Sequence, residues 1–507
     1  MSLPRRRVLG SAAAAVLATV GAAVRGPDYG ALARGIEGRL VLPGDRDFPE
    51  ARQLFQPRYD SLAPAAVAYP AHAADVAACL EFARRSAVPV VPRGGGHGYA
   101  GWSTRAGGLV VDLGAMARVA VAGDGVRIGA GARLGDVNAA LAGRGLGIPT
   151  GLCPTVGIAG LTLGGGLGLA SRAYGATCDR LTGAGVVTPD GAVREVDADR
   201  DPELYWALRG GGGGNFGVVT EFRFRTHPVA DAAFAELHWP GADSAAVLRG
   251  WQRWLVGLPD PFWSQVEFTV GAGGADADPA AVPALRVVCL DGRRELEREL
   301  TRLTDLVGRP VRDRWIVVRT YGDTVRAMSG CLERSPEECR LPGALPGRDP
   351  GGRLGRESYA ARSDFWAAGG LPDAAIGAVL DAVRRYPSAV PRGGLGVVQF
   401  DGVCGGALNR VPATATAFAH RAAAFLAQYL VHWPETAPAA EVARHQGWLD
   451  GLWQGLRPWA SGSAYQNYSD PKLSGWREAY YGPNLARLEA ARRRHDPERL
   501  FRFPHAL

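Results

Sequence analysis

The sequence predicts an α+β protein built in two parts. Between residues 65 and 225, short apolar runs that read as strands alternate with helical patterns and then give way to hairpins. From about residue 231 the character changes: "AAFAELHWP", "WSQVEFTVG" and "ALRVVCLDG" read as strands of an antiparallel sheet, with helical patterns around 243–256, 292–307 and 412–430. The chain has 507 residues, which implies two or more domains or one large discontinuous one, and its 70 Gly and 35 Pro require many turns and irregular connections.

The elements follow in order. The N-terminus, "MSLPRRRVLGSAAAAVLATVGAAVRG", sets Arg5, Arg6 and Arg7 before an apolar run of about 15 residues, too short and too Ala-rich for a good spanning helix. It fits an export signal with a twin-arginine n-region over residues 1–30, the alternative being a loose first helix. No later stretch reaches 18 uncharged apolar residues, so no stable membrane span is expected, and the protein reads as secreted through the twin-arginine export machinery. Asp75 to Arg85 carries helical spacing in Val76, Cys79, Leu80 and Phe82, and "VPVVP" after it is a short buried strand. "GGLVVDLGAM" is another strand, and "VRIGAGARLGDVNAALAGRG" is strand, turn and helix. Residues 181–198 form a hairpin that turns at Pro189, Asp190 and Gly191. Asp201 caps a helix that breaks at five glycines before the strand "VVTEFRFRT". In the second part a Pro- and Gly-rich loop at 341–355 interrupts the pattern, and the chain ends in a helix of about a dozen residues and a Pro-bounded tail.

Composition removes several functions. The net charge is +7 and nearly all of the positive charge is arginine, scattered without a basic tract, which does not argue for nucleic acid. The only lysine is Lys472, so no Walker A loop exists and Schiff-base chemistry would rest on that residue alone. The seven cysteines are Cys79, Cys153, Cys178, Cys289, Cys331, Cys339 and Cys404. None is spaced as C-x-x-C, so no metal site is expected. Cys331 and Cys339 flank the short polar loop "LERSPEE" and are the best candidate disulfide; the odd total leaves at least one cysteine without a disulfide partner.

Two glycine tracts carry the chemistry. "VPRGGGHGYAGWS" follows a strand and holds His97, and "GLCPTVGIAGLTLGGGLG" holds Cys153. Glycine loops with free N–H groups cradle phosphate, and each tract adds one nucleophile. A Rossmann fingerprint would need a strand, the glycines, a helix and an acidic residue about 20 further on. Asp179 is near that distance, but Pro154 and Thr155 stand where the strand belongs and no βαβ unit follows.

"PRGGGHGYAGWS", "CPTVGIAGLTLGGGLG", "YWALRGGGGGNFGVVTEFRFRTHP", "YQNYSDP" and "YYGPNLARLEAARRRHDPERLF", in this order, resemble the berberine bridge enzyme-like family of FAD-linked oxidases, over about residue 60 to the C-terminus. The resemblance implies the vanillyl-alcohol oxidase type of fold: a two-part FAD-binding domain (residues 40–230 and 456–507) around a substrate-binding domain (231–455) with a large antiparallel sheet covered by helices. In that family the matching His and Cys bond covalently to FAD, which assigns His97 to the 8α-methyl and Cys153 to flavin C6. By the same resemblance Arg93, Gly94, Gly95, Gly96 and Gly98 belong to the pyrophosphate loop, and Val156, Gly157, Gly160 and Gly164 to the flavin and ribityl side. Tyr174, Gly175 and Asp179 form the usual continuation, Gly217 and Val219 reach the adenine side, and Asn467 contacts the flavin ring. Tyr468 is the implied general base, with Tyr465 packing against the flavin or supporting the site.

Asp401 is a candidate hydrogen-bond partner for that base, and Gln399 shares its side of a strand by alternation and so faces the substrate pocket. The family often has an aromatic residue before the following Gly-Gly, where this chain has Cys404. The implied reaction is oxidation of an alcohol or hemiacetal hydroxyl of a sugar, an oligosaccharide or a sugar-bearing secondary metabolite, with hydride passing to flavin N5 and dioxygen becoming hydrogen peroxide. Val156, three residues after the linked Cys, stands where family oxidases carry the Val that admits dioxygen. The alternatives are oxidative cyclisation or C–C coupling on a natural-product scaffold, or a flavin-bearing binding protein without turnover.

Overall fold

The computed structural model describes residues 26–271, 282–390 and 393–507. Arg5, Arg6 and Arg7 and the apolar run after them lie outside the described residues. The first body starts with β1 (Arg39–Val41), β2 (Ala66–Tyr69), helix α1 (Ala73–Arg85), β3 (Val90–Arg93) and β4 (Leu109–Asp112). These strands form a sheet of order β1-β2-β4-β3. β2 and β3 both run parallel to β4, and β2 and β4 are buried along their whole length, as parallel strands covered on both faces must be. The buried face of α1 is Val76, Cys79, Leu80 and Ala83, the spacing that the sequence shows. A second sheet, of order β5-β6-β9-β7-β8, contains β5 (Val119–Ala122), β6 (Gly125–Gly129), β7 (Leu181–Val187), β8 (Val193–Val196) and β9 (Val218–Arg225). β7 and β8 are the expected hairpin.

The C-terminal segment completes this body. Ala464, Tyr480, Leu488 and Phe501 belong to the same apolar core as Leu109, Ile128 and Phe222. Phe501 bridges Val90 in parallel, and the Asn215 side-chain oxygen accepts from Arg492 Nη1 at 3.0 Å and from the Leu507 N–H at 3.2 Å.

The second body is one antiparallel sheet of seven strands, of order β13-β10-β12-β11-β15-β16-β14. In chain order its elements are β10 (Asp231–His238), α2 (Ser244–Leu255), β11 (Phe262–Gly271), β12 (Ala284–Cys289), α3 (Arg293–Val307), β13 (Asp313–Thr320), β14 (Ser358–Trp366), α4 (Asp373–Ala389), β15 (Leu395–Asp401), β16 (Phe425–Trp433) and α5 (Ala439–Leu456). Strand alternation sorts the side chains. Phe262, Val266, Phe268, Val398, Phe400, Ala427 and Tyr429 pack against the four helices, α2 contributing Val247, Leu248, Trp251 and Trp254. The residues between them, Trp263, Gln265, Glu267, Gln399, Asp401 and Leu426, face the first body.

The helix expected at 412–430 is not there. Beyond a short helix at Gly406–Arg410 the chain is irregular, and Phe425–Trp433 is β16, a strand paired on both sides. The Ala-rich stretch before it mimics a helix former, and a strand buried on both faces, with Leu426 and Leu430 among the polar residues of its inner side, shows only a weak period-2 signal. Cys331 and Cys339 are joined in a disulfide. Among the described residues no helix is long and apolar enough to cross a membrane.

A buried ion pair fastens the segment before β16 to the first body. Arg421 donates to both carboxylate oxygens of Asp179, at 2.8 and 2.7 Å, and also to the Thr416 hydroxyl at 2.8 Å. Both partners are buried, 3% and 7% exposed. Arg421→Met strands the Asp179 carboxylate and is expected to destabilise the protein by about 3–5 kcal/mol. Arg487→Met breaks a half-exposed pair with Glu203 and is expected to cost below about 1 kcal/mol. Urea unfolding of the two variants checks the difference.

Candidate active site

The "RGGGHG" loop leaves the end of β3 and is held from behind by two arginines. Arg93 is buried and donates to the Asp112 carboxylate and, at 2.5 Å, to the Ala51 carbonyl. Arg133 donates to the Gly94 carbonyl at 2.7 Å. From the front the loop meets the Cys153 loop main chain to main chain: a Cβ on Gly95 would stand 2.2 Å from the Gly157 nitrogen. Among the described residues, no protein acceptor takes the N–H of Gly95, Gly96, His97 or Gly98. These donors border a cavity of about 710 Å³ between the two bodies, the arrangement that receives an anion such as a pyrophosphate.

The two nucleophiles flank one hydroxyl. His97 Nε2 is 2.8 Å from Thr155 Oγ1, and Cys153 Sγ is 3.5 Å from the same oxygen. The His97 ring stacks on Phe55 at 3.9 Å. Burial, with the Arg133 guanidinium adding to it, pushes the His97 imidazole down to about 3, so the ring is neutral and keeps a nitrogen lone pair for bonding. Cys153 opens onto the cavity, while Cys79, Cys178, Cys289 and Cys404 are buried. Desolvation in the cavity raises the Cys153 thiol, opposed by hydrogen bonding to Thr155 and Val156.

The cavity's far wall is the inner face of the seven-stranded sheet. Gln265 Nε2 donates to Asp401 Oδ1 at 2.8 Å across β11 and β15. Gln399 donates to Gln428, which donates to the Tyr99 hydroxyl at 2.8 Å. Burial pushes the Asp401 carboxyl up to about 7, against the Gln265 hydrogen bond and helped by the Glu267 charge. Tyr468 lies on a single helical turn (Gln466–Tyr468), its ring stacked on Tyr99 at 5.4 Å and edge-on to Tyr465 at 5.0 Å. Tyr465 Oη accepts from the Gly166 N–H at 3.0 Å and from Asn467 Nδ2 at 2.9 Å, which fixes both side chains.

The structure gathers His97, Cys153, Gly94, Gly95, Gly96, Gly98, Val156, Gly157, Gly160, Gly217, Val219, Gln399, Asp401, Tyr465, Asn467 and Tyr468 around this one cavity. Five expected cofactor residues do not line it. Arg93 lies beneath the loop as its support. Gly164 backs Asn467: a Cβ there would stand 2.0 Å from Asn467 Oδ1. Tyr174 stacks on His227 at 3.7 Å, Gly175 (φ 89°) gives room to Asp179, and Asp179 is committed to Arg421. The sequence reading missed Phe55, Tyr99, Thr155, Gln265, Glu267, Arg286, Glu357, Tyr359 and Gln428. The polar row on β11 opposite Phe262, Val266 and Phe268 was a visible signal, but such a row is normally a solvent face, and only the packed bodies show that this one is roofed.

Comparison with known proteins agrees with this geometry. The family described as FAD binding domain matches residues 64–197, and the family Berberine and berberine like matches residues 464–507. The uncharacterized FAD-linked oxidoreductase YgaK of Bacillus subtilis is 31% identical over 483 residues, 93% of this chain and 97% of that protein. The chitooligosaccharide oxidase of Gibberella zeae is 29% identical over 465 residues, 88% of this chain and 87% of that one. A solved structure of glucooligosaccharide oxidase from Acremonium strictum, a protein with 6-S-cysteinyl, 8α-N1-histidyl FAD, superposes with a TM-score of 0.80 at 26% identity, covering 94% of this chain and 99% of that one. The chain belongs to the berberine bridge enzyme-like family of FAD-linked oxidoreductases, with the vanillyl-alcohol oxidase type of fold.

The free N–H groups, the cavity and the paired nucleophiles fit FAD. Gly160 gives a direct test, because it lines the cavity and a Cβ added there meets nothing within 4 Å. Gly160→Val places methyl groups in the space that the cofactor needs. Overfilling a close-packed site costs about 1–3 kcal/mol, so FAD affinity is expected to fall roughly tenfold or more. Flavin absorbance per chain measures it, with circular dichroism expected to be unchanged.

Proposed function

We propose that this chain is an oxidase that holds FAD covalently through His97 and Cys153 and oxidises an alcohol or hemiacetal hydroxyl of a sugar, an oligosaccharide or a glycosylated metabolite, with dioxygen as acceptor. The observation that carries the substrate class is the polar inner face of the sheet, where Glu267, Gln399, Asp401, Gln428 and Glu357 stand in or beside the cavity. A polyhydroxylated ligand can exchange further hydrogen bonds with such groups, whereas an apolar scaffold would cover them and add none. The chitooligosaccharide and glucooligosaccharide oxidases among the relatives support the same class. The Tyr99–Tyr468 stack, with Tyr359 edge-on to Tyr99 at 4.9 Å, favours the second reading, oxidative cyclisation or C–C coupling of an aromatic scaffold. A binding protein without turnover does not account for Tyr468 and Asp401 in one cavity. Residues 1–30 complete the proposal as a twin-arginine export signal that sends the protein out of the cell.

FAD supplies the two-electron acceptor for the hydroxyl carbon and returns the electrons to dioxygen as hydrogen peroxide. The protein's part is to bind and to move a proton. Tyr468 Oη takes the substrate's hydroxyl proton. Burial first, then the neighbouring Tyr99 and Asp401, hold the Tyr468 phenol well above its ordinary range, so it rests neutral. A neutral phenol takes a proton only by giving up its own, and Asp401 is the receiver that the cavity offers. Tyr465 and Asn467 brace the turn that carries Tyr468. Val156 lines the cavity, and its small apolar side chain is the one to which this reading assigns the admission of dioxygen.

Peroxide release with cello-, xylo- and chitooligosaccharides tests the substrate class; silence with all of them, and product formation from a phenolic scaffold, moves the weight to the second reading. Acid precipitation is expected to leave the flavin on the chain. His97→Ala or Cys153→Ala alone leaves one link, and the double variant releases the flavin; mass spectrometry of the denatured chains reads the count.

Tyr468→Phe is expected to slow flavin reduction by about 10²-fold or more with little change in substrate affinity, and Tyr465→Phe to do less. Because Asp401 receives a proton only as a carboxylate, kcat/KM is expected to fall as pH drops through about 7, and Asp401→Asn to remove that limb. Stopped-flow reduction and pH profiles check both.

A further inference from the structure

Among the described residues lining the cavity, Arg286 is the only arginine or lysine. It stands on β12, and its partners lie on the inner face of the strands on either side. Its Nε donates to Glu236 Oε2 at 3.0 Å, and Nη1 lies 3.3 Å from Glu267 Oε2. Nη1 also donates to Gln265 Oε1 at 3.2 Å, and Gln265 passes its own Nε2 on to Asp401 Oδ1 at 2.8 Å. The strand register makes this one continuous rung: Glu236 opposite Arg286, Arg286 opposite Gln265, Gln265 opposite Asp401.

A guanidinium has donors and no acceptor, whereas a glutamine amide has one end of each kind. With its carbonyl taken by Arg286, Gln265 can show Asp401 only N–H. Turned over, it would set NH₂ against the guanidinium and a carbonyl against the carboxylate, both repulsive. We propose that Arg286 is a positioning residue for the reaction: it locks the Gln265 amide so that Asp401 is met by a donor and stays free to receive the Tyr468 proton.

The remaining neighbours of Asp401 do not do this. Glu267 on β11 opposes its charge. Tyr99 and Tyr468, from the facing loop and turn, are neutral, their phenols raised chiefly by burial. Cys404, three residues on, is a thiol pushed up to about 12. Gln265 is therefore the group that favours the carboxylate, and Arg286 decides which way Gln265 faces. This inference rests on the reading of Asp401 as the proton receiver.

The test uses the FAD-loaded enzyme and needs no substrate. Infrared titration follows the protonated-carboxyl band that Asp401→Asn removes. Arg286→Met is expected to raise the midpoint of that band by about one pH unit or more, a tenfold change in the protonation equilibrium. Gln265→Leu is expected to raise it as well. In the Gln265→Leu background, Arg286→Met should add nothing. With Gln265 present, Arg286→Lys, which keeps a donor for the Gln265 carbonyl, should hold the wild-type midpoint. Should Arg286→Met fail to accumulate, Arg286→Leu, which likewise offers no donor, carries the same comparison. An unmoved midpoint in Arg286→Met overturns the proposal. So does an equal shift with and without Gln265, because Arg286 would then act as a bare charge. The receiver reading is tested apart from this, by kcat/KM against pH with cellobiose: if Asp401→Asn keeps the wild-type acid limb, that reading falls, while the infrared comparison still decides what Arg286 does to Gln265.

Discussion

The contact on which the site depends is between two pieces of bare main chain. Gly95 and Gly157 pack so closely that a Cβ on Gly157 would stand 2.4 Å from the Gly95 nitrogen. No other residue fits at either place, and the contact sets the spacing of everything the two loops carry. His97 and Cys153 both come within reach of the Thr155 hydroxyl because the two loops that carry them are held together at this contact. The charges that hold the loop, Arg93 with Asp112 and Arg133 on the Gly94 carbonyl, sit behind it in the protein interior, where such pairs are strongly directional. The free N–H groups are left on the cavity side.

The seven-stranded sheet solves the complementary problem. One face is sealed by apolar side chains under four helices. The other is polar yet enclosed, so its groups must find partners within the wall. They do so along two rungs, one running from Glu236 through Arg286 and Gln265 to Asp401, the other from Gln399 through Gln428 to Tyr99. A chamber of this kind suits the hydroxyl-bearing substrates proposed above. Asp401, its carboxyl pushed up by burial, shares the cavity with Tyr468, its phenol raised by burial first.

The α+β class, the antiparallel sheet and the two nucleophile loops were legible because each depends on local pattern: alternation, helical spacing and glycine where backbones approach. The strand at Phe425–Trp433 was not, since an element covered on both faces keeps only a weak period and its Ala-rich approach imitates a helix. Among site residues, His97, Cys153 and Tyr468 stood out by residue type within short motifs. Asp179, assigned to the cofactor through its motif, is held instead by an arginine more than two hundred positions away, a pairing that no local motif displays. Gln265 and Arg286 could not be assigned roles for a similar reason: what each does is set by partners on neighbouring strands, which only the register brings together.

The way the first body is closed has a consequence for biosynthesis. Its core draws on Leu109 and Phe222 but also on Leu488 and Phe501, and Asn215 is held by Arg492 and Leu507. The sheet between these pieces has an apolar core of its own, drawn from residues 233–456. On the ribosome the sheet can therefore close while the glycine loops still wait for their last wall. Contacts this far apart along the chain form late. Closing the FAD-binding body is in this sense a step that follows translation, and the nascent chain passes through a stage in which the sheet that forms one wall of the cavity is complete while the opposite wall still lacks its C-terminal pieces.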